Sequence, residues 1–335
     1  MKKLICLYFI SSLIITSCNQ EDDQVLLFTD DYSVMPRGPL GSDVGAHTEY
    51  HYLHEAKPKG NWAISTFRSN LPASWYVRKV NEKKVLLQNG VNKNNHWHPM
   101  VVAGDLFWEN YTILTSFSSL DKEKQCGVVF RYNNDRCYYI LGVRQDTAFL
   151  KMVKHATGYH KPFEKVLASE HFSYNIEDDI KVRIELLADQ ISASIESGPQ
   201  FNVSDTTYKK GKIGFLADGP AYFNPVEITS NQNDKSEYEY LRREADLAEQ
   251  KLIDNNPRPV LWKSIKTNDF GVGRNLRFGD LNGDGEIDVL IGQVVHHGHK
   301  DRNTELSCLT AMTFDGDILW QKGKPEKQNI RHLPH

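Results

Sequence analysis

The fold is decided by residues 127–143, which read GVVFRYNNDRCYYILGV. Two runs rich in Val, Ile, Phe and Tyr flank a polar segment, residues 133–136, that is typical of a turn. With the turn at Asn134 and Asp135, strand pairing places Phe130 opposite Tyr139 and Cys126 opposite Val143. The alternation predicts one face that carries Val129, Arg131 and Tyr138 and another that carries Val128, Phe130, Tyr139 and Leu141.

Similar short runs recur through residues 25–230, at spacings of roughly 8 to 15 residues that are typical of a β-sandwich. No long amphipathic pattern interrupts them. The fold class predicted is therefore mainly β, with one sandwich over residues 25–230. The predicted strands include Lys84–Gln88, Tyr111–Ser118, Gly127–Tyr132, Tyr138–Val143, Phe149–Val153, Ile180–Leu187, Ile191–Ser197 and Lys212–Ala217.

Composition excludes several classes of protein. The 335 residues carry a formal net charge of −3, with 40% hydrophobic and 25% charged residues. This chain is long enough for one large core or two medium ones, and its charge balance does not fit a disordered polyelectrolyte. No basic cluster indicates nucleic-acid binding, and the mean hydropathy is too low for a polytopic membrane protein.

The N-terminus has the pattern of a secretory signal. Lys2 and Lys3 precede an apolar run, residues 4–15, that is too short to span a membrane. Residues 15–18, Ile-Thr-Ser-Cys, resemble a bacterial lipobox. That resemblance implies loss of residues 1–17, acylation of Cys18 and a membrane lipid anchor. The alternative is an ordinary signal with a chance cysteine.

Residues 18–24 are then a tether, and their acidic cluster, Glu21-Asp22-Asp23, resembles the surface-export signal of Bacteroidota lipoproteins. The alternative is a solvated linker. We expect an outer-membrane lipoprotein on the cell surface or the periplasmic face. Three cysteines remain in the mature chain, and this odd number argues against a disulfide framework. Cys126 and Cys137 are interpreted as small core residues, because the hairpin register does not pair them.

The order of motifs in the sandwich resembles the laminin-G-like, or concanavalin-like, jelly rolls of bacterial carbohydrate-active lipoproteins. The matching segments are residues 104–111, 127–132, 138–141, 203–205 and 211–215. The resemblance implies a polysaccharide or oligosaccharide as partner. Aromatic rings stack on sugars and planar polar groups bind hydroxyls, so the candidate glycan face comprises Trp75, Trp97, His98, Arg131 and Tyr138. The alternative for the aromatic members is a place at the edge of the core.

Residues 231–257 are predicted to form a helical linker. Tyr238, Leu241, Ala245, Ala248 and Leu252 follow the spacing of one helix face. Asp234 or Ser236 is expected to cap the start, and residues 255–257, Asn-Asn-Pro, to end it. The interpretation is a spacer helix packed on a neighbouring domain, with a dimerising coiled coil as the alternative.

Residues 280–288 read DLNGDGEID, a pattern of alternating oxygen donors that wraps a hard cation. The flanking runs, Leu276–Phe278 and Val289–Ile291, are strand-like, so the sequence predicts a calcium loop between two strands. Its alternative is a turn without metal. The predicted ligands are Asp280, Asn282, Asp284, Asp288 and, through its backbone carbonyl, Glu286.

The wider segment, residues 258–335, resembles one FG-GAP-type propeller repeat, with later strands at Leu309–Phe314 and Ile318–Gln321 around an Asp315-Gly316 turn. It is similar to blades of rhamnogalacturonan and rhamnose–glucuronate lyases. A uronide lyase needs a base and a cation that neutralises the substrate carboxylate. Candidate catalytic residues of the right chemical types occupy the loop after the second strand: His296, His297, His299, Lys300 and Arg302.

The sequence contains one such repeat, whereas a propeller typically needs at least four blades. We therefore predict a glycan-binding lipoprotein of a polysaccharide-utilisation system, with an incomplete propeller blade as its last domain, and a truncated polysaccharide lyase is one interpretation of that blade. Two alternatives stay open: an active polysaccharide lyase that uses calcium, and an adhesion or structural lipoprotein that binds protein.

Overall fold

The computed structural model describes residues 24–40, 60–65, 74–93, 98–155, 162–267, 270–271, 276–295 and 305–325. The chain divides into two compact units, Met1–Leu252 and Ile253–His335. Within the described ranges, no helix has both the length and the apolar character needed to cross a membrane.

The first sheet of the larger unit has ten antiparallel strands. Their bounds are β1 Gln24–Asp30, β2 Gly38–Pro39, β4 Trp75–Val80, β5 Lys83–Gln88, β7 Tyr111–Ser119, β12 Ile180–Leu187, β13 Gln190–Ile195, β14 Gln200–Ser204, β16 Ala221–Phe223 and β17 Val226–Asn231. Eight of them follow the order β14-β13-β12-β7-β16-β5-β4-β2, while β17 pairs with both β7 and β1.

The second sheet has seven antiparallel strands. Their bounds are β3 Ala63–Ser65, β6 Met100–Ala103, β8 Cys126–Asn134, β9 Cys137–Arg144, β10 Thr147–Lys154, β11 Phe163–His171 and β15 Lys212–Ala217. They follow the order β11-β10-β9-β8-β15-β6-β3. Together the sheets form the predicted mainly β jelly-roll sandwich.

The core lies between the two sheets and is rich in aromatic rings. Phe215 of the second sheet stacks on Phe223 of the first, with ring centroids 4.6 Å apart, and on Trp62 at 4.8 Å. All three residues are fully or almost fully buried. These three stacked rings join the two sheets, and the burial of their large apolar surfaces stabilises the sandwich.

The hairpin register predicted from the sequence is confirmed. Phe130 pairs with Tyr139 and Cys126 with Val143. Val128, Phe130, Tyr139 and Leu141 belong to the core between the sheets, whereas Val129 and Tyr138 belong to a second apolar cluster. Arg131 departs from regular alternation because it lies in a bulge, with a φ of 46°.

The predicted strands of the sandwich are all present, with ends that shift by at most two residues. Strand β11 was not predicted, because seven of its nine residues are exposed and no apolar alternation marks it. Its pairing with β10 holds it as an edge strand. Cys126, Cys137 and Cys308 are free cysteines, with Cys126 and Cys308 buried.

The helix α1 spans Gln232–Asn255 and begins earlier than predicted. Its N-cap is Asn231, whose side-chain oxygen accepts a hydrogen bond from the Asp234 backbone N–H at 2.9 Å. The prediction of Asp234 or Ser236 as the cap was wrong, since Asp234 instead accepts from the Asn110 amide at 2.9 Å. The first turns pack on the sandwich through Tyr238, whose ring meets Trp108 edge-on at 6.2 Å.

The smaller unit contains one antiparallel sheet of four strands. Their bounds are β18 Leu276–Gly279, β19 Asp288–Val295, β20 Glu305–Met312 and β21 Ile318–Gly323, and they pair in chain order. Strands therefore flank residues 280–288, as predicted. Phe270, Val289, Ile291 and Met312 form its small core.

Candidate functional site

A groove of about 1640 Å³ lies on the face of the first sheet that points away from the core. In β7 the side chains of Ile113 and Phe117 enter the core, so those of Leu114, Ser116 and Ser118 point outward. The groove crosses six neighbouring strands, from β13 to β4. At the usual strand separation it extends over roughly 24 Å.

Tyr222 lies at the middle of this groove. It is half-buried, and its backbone pairs with Leu87 of β5 and Ser118 of β7. The residues on either side of it in β16, Ala221 and Phe223, are fully buried and anchor the strand. The phenol ring is thus an apolar surface held on a rigid element and open to solvent on one side.

Asn224 links two other residues that line the groove, Ser116 of β7 and Asp179 just before β12. Its side-chain amide donates to Ser116 Oγ and to Asp179 Oδ1, both at 2.9 Å. Its backbone carbonyl accepts from the Tyr32 hydroxyl at 2.8 Å. These contacts fix the orientation of the amide, which places polar groups beside the Tyr222 ring without the entropy cost of ordering them on binding.

The rim at β12 and β13 is charged and paired. Lys181 Nζ lies 2.8 Å from Glu196 Oε2, and Arg183 pairs with Glu185. The neighbouring carboxylate raises the pKa of Lys181. These exposed pairs contribute little to stability, but they neutralise both cations of this end, which Glu177 and Asp179 also line.

His98 does not lie in this groove. It belongs to a polar network on the outward side of the second sheet, where Asp218 follows β15 and Gln125 precedes β8. His98 Nδ1 lies 2.8 Å from Asp218 Oδ1, and its Nε2 lies 3.5 Å from Glu164 Oε1 of β11. Asp218 also accepts from Asn92 at 2.7 Å and from Gln125 at 2.9 Å.

The charges of this network determine the ionisation of His98. Burial lowers the pKa of the imidazole, but the carboxylates of Asp218 and Glu164 outweigh burial and raise it to about 9. The hydrogen bond with His98 lowers the pKa of Glu164 to about 2. His98 is therefore an imidazolium at neutral pH, held between two carboxylates, and has no lone pair with which to act as a base.

The other predicted members of the glycan face are not brought together. Trp75 is fully buried and packs on Phe223 at 5.7 Å, so it is a core residue, in line with the alternative. Tyr138 is 1% exposed and stacks on Tyr132. Trp97 lies outside the described residues.

Arg131 is also removed from solvent, which corrects its assignment to a glycan face. It is fully buried, and its guanidinium donates to the backbone carbonyls of Tyr208, at 3.0 Å, and Ala188. Burial lowers its pKa. Arg131 therefore connects the turn after β12 to the segment before β15, a structural role.

In the loop of residues 280–288, the carboxylate of Asp280 accepts hydrogen bonds from two backbone N–H groups, those of Gly283 at 2.6 Å and Gly285 at 3.0 Å. These donors lower its pKa. Asp288 is almost fully buried and accepts from Leu281 N at 2.9 Å. Among the described residues, no three His, Cys, Asp or Glu side chains converge as a metal site would require.

Asn282 and Asp284 hydrogen-bond to each other at 2.7 Å, and the Glu286 backbone N–H donates to Asp284. The donor types in this loop fit calcium, but their side chains are not gathered around one point. The predicted calcium site therefore stays a prediction. The predicted catalytic residues, His296, His297, His299, Lys300 and Arg302, lie outside the described residues, as does Cys18.

No protein-family model and no curated protein matches the chain. Solved structures similar to it include the carbohydrate binding module CBM66 from Bacillus subtilis, at 13% identity and a TM-score of 0.41, over 51% of this chain and 96% of that chain. A glycoside hydrolase family 16 endo-glucanase from Bacteroides ovatus is 12% identical, with a TM-score of 0.40, over 61% of this chain and 100% of that one.

A third similar structure is a protein of unknown function with a galectin-like fold from Bacillus subtilis. It is 13% identical, with a TM-score of 0.37, over 61% of this chain and 100% of that chain. At these TM-scores the similarity assigns neither an activity nor a ligand to this chain.

Sequence reasoning missed the groove, although one signal for it was present. In Ile180–Leu187 the even positions are buried and the odd ones, Lys181, Arg183 and Glu185, are polar. That alternation marks a sheet with one solvated face. Tyr222 carried no comparable signal, because β16 has only three residues.

Proposed function

We propose that the sandwich binds a glycan in the groove on the outward face of its first sheet. The observation that carries this proposal is the half-buried ring of Tyr222 at the centre of a polar groove that crosses six strands. A sugar ring has an apolar face that stacks on an aromatic side chain and hydroxyls at its edge that need hydrogen-bonding partners. The groove supplies both in one place.

The polar groups around Tyr222 support the same proposal. Ser116, Ser118 and Ser194 line the groove from β7 and β13, and Asn224 is held in a fixed orientation beside them. Hydroxyl and amide groups both donate and accept, as binding to sugar hydroxyls requires. The length of about 24 Å, from the strand spacing, favours an oligosaccharide or polysaccharide over a single sugar.

The test is glycan binding by the full-length protein and by its Tyr222→Ala variant. A glycan array identifies a ligand, and calorimetry then measures its affinity. We expect Tyr222→Ala to weaken binding roughly tenfold, about 1.4 kcal/mol, because stacking on the ring is lost. Tyr222→Phe keeps the ring and should retain binding.

Tyr240→Ala is the matched control, since Tyr240 lies on α1 with 53% of its surface exposed and does not line the groove. Thermal unfolding of each variant checks that the sandwich is intact. Binding that is unaffected by Tyr222→Ala, or absent for every glycan tested, would refute the proposal.

We propose, from the sequence alone, that Cys18 carries a lipid that anchors the protein to the outer membrane, on the cell surface or the periplasmic face. We also propose that residues 280–288 bind calcium, because their oxygen donors have the spacing of a hard-cation loop. Asp280 supports this, since its carboxylate already organises the loop backbone through Gly283 and Gly285.

Polysaccharide lyase activity and protein adhesion remain the alternatives. A lyase would release unsaturated uronides that absorb in the ultraviolet when uronic-acid glycans are offered, and His297→Ala would abolish that signal. An adhesin would stay folded, bind no glycan and bind a protein. These outcomes separate the three functions.

A further inference from the structure

One end of the groove carries more positive than negative charge. Four cationic residues line it where β4 and β5 meet the segment after β1, namely Arg37, Lys79, Lys83 and Lys84. The acidic residues that line the same end are Asp31 and Glu82. Arg37 and Lys83 form no ion pair with any described residue and are exposed to solvent.

The register of the β4–β5 hairpin brings two of these cations together. Lys79 is directly opposite Lys84, and the two-residue turn between the strands is Asn81-Glu82, with φ values of 46° and 68°. Like charges at directly opposite positions destabilise a sheet. Lys79 and Lys84 lie on the side of the hairpin that carries the core residues Val77 and Leu86, whereas Lys83 lies on the outward side, as Tyr222 does. Of these three lysines, Lys83 therefore faces the groove directly, and Lys79 and Lys84 line its edge.

Local contacts offset only part of this repulsion. Lys79 pairs with Glu82. Lys84 Nζ donates to the backbone carbonyls of Ser33 and Met35, both at 2.7 Å, and these carbonyls carry no net charge. At the opposite end of the groove, in contrast, Lys181 and Arg183 are each paired with a glutamate. The excess of positive charge is thus confined to one end.

We propose that the end of the groove formed by Arg37 and Lys83, with Lys79 and Lys84 at its edge, binds an anionic substituent of the glycan, a carboxylate or a sulfate. This inference rests on the proposed function, because it concerns the same groove. Tyr222 stacks on the sugar ring, and the basic end selects acidic over neutral chains by complementary charge.

The test compares polymers that share a backbone and differ in charge. The probes are polygalacturonate against its fully methyl-esterified form for the carboxylate, and dextran sulfate against dextran for the sulfate. We expect the full-length protein to prefer the acidic member of at least one pair, with a preference that falls as salt is added. The pair that shows the preference identifies the anion.

The variant Arg37→Gln/Lys83→Gln removes the two unpaired cations without touching the ring of Tyr222. We expect its affinity for the acidic polymer to fall roughly tenfold, because two exposed cations no longer attract the anion. Its affinity for neutral glycan should stay unchanged. Lys251→Gln, on the exposed surface of α1, is the control for a general change in net charge.

The outcomes separate this inference from the proposed function. Tyr222-dependent binding with equal affinity for the acidic and neutral members of both pairs would overturn the charge selection and leave glycan binding intact. An acidic preference that persists in the double variant would also overturn it. No binding to any polymer, charged or neutral, would remove the proposed function itself.

Discussion

Replacement of His98 by alanine should destabilise the sandwich strongly. His98 is 7% exposed, and its imidazolium lies between the carboxylates of Asp218, at 2.8 Å, and Glu164, at 3.5 Å. Without it, Asp218 retains the amides of Asn92 and Gln125 but loses its cation. Removal of one partner of a buried ion pair costs about 3–5 kcal/mol of unfolding free energy.

The pKa shifts of His98 and Glu164 imply how the stability of the protein changes with pH. The folded-state pKa of His98, about 9, lies above the ordinary value of 6.5. The folded protein therefore holds this proton more tightly than the unfolded chain does, and the stabilisation is fully present below pH 6.5. It is lost as pH rises from 6.5 through 9, and the shift corresponds to about 3 kcal/mol.

Glu164 has the opposite dependence. Its pKa of about 2 lies below the ordinary 4.5, so its contribution is present above pH 4.5 and is lost as pH falls towards 2. We therefore expect these two groups to stabilise the protein most between pH 4.5 and pH 6.5.

Urea unfolding at pH 6 and pH 9.5, followed by tryptophan fluorescence, measures the cost of the His98 substitution and the loss of stability at alkaline pH, because Trp62, Trp75 and Trp108 are buried in the sandwich. The wild-type protein should lose about 3 kcal/mol between the two pH values, and His98→Ala should lose much less. His155→Ala, an exposed histidine after β10, is the matched control. Equal pH dependence in the wild type and His98→Ala would refute the reasoning.

Three further predictions concern other parts of the chain. Gly142→Ala should destabilise the sandwich by about 1–3 kcal/mol in thermal unfolding, because the new Cβ would lie 2.7 Å from Cys126 O and 2.9 Å from the Phe149 ring; Gly279→Ala, with nothing within 4 Å, should have little effect. Calcium should raise the unfolding temperature of the wild type and not that of Asp280→Ala, and an identical response in both would contradict the calcium proposal. Labelling with a radioactive fatty acid in a bacterial host should be lost in Cys18→Ala and kept in Cys126→Ala, whereas retained label in Cys18→Ala would exclude the lipid anchor.

Much of the fold could be predicted from local pattern alone. In β12 every second side chain is buried, and in the hairpin of β8 and β9 the register follows from the position of the turn. Both are short-range consequences of a strand with one face in a core. The helix was equally visible, although its cap was misassigned, because several nearby residues share the chemistry of an N-cap.

The candidate site was not predictable in the same way. Trp75 and Tyr138 have the residue types of a sugar platform, but the sheet pairing buries both. In β9, the strand of Tyr138, both faces are apolar, so nothing local distinguishes a buried aromatic from an exposed one. Tyr222 reaches the groove because β16 is inserted between β5 and β7, a pairing that joins distant segments.

By itself, the sequence determined that this protein is a mainly β sandwich followed by a helix and a four-stranded sheet, since burial of apolar side chains imposes a period that can be read directly. Only the tertiary structure decided which polar groups meet. His98 and Asp218 are 120 residues apart in sequence, and Asn224 and Ser116 are 108 apart. Such contacts depend on the order in which strands pair across the whole domain. The periodic spacing of apolar residues along the sequence carries no information about that order.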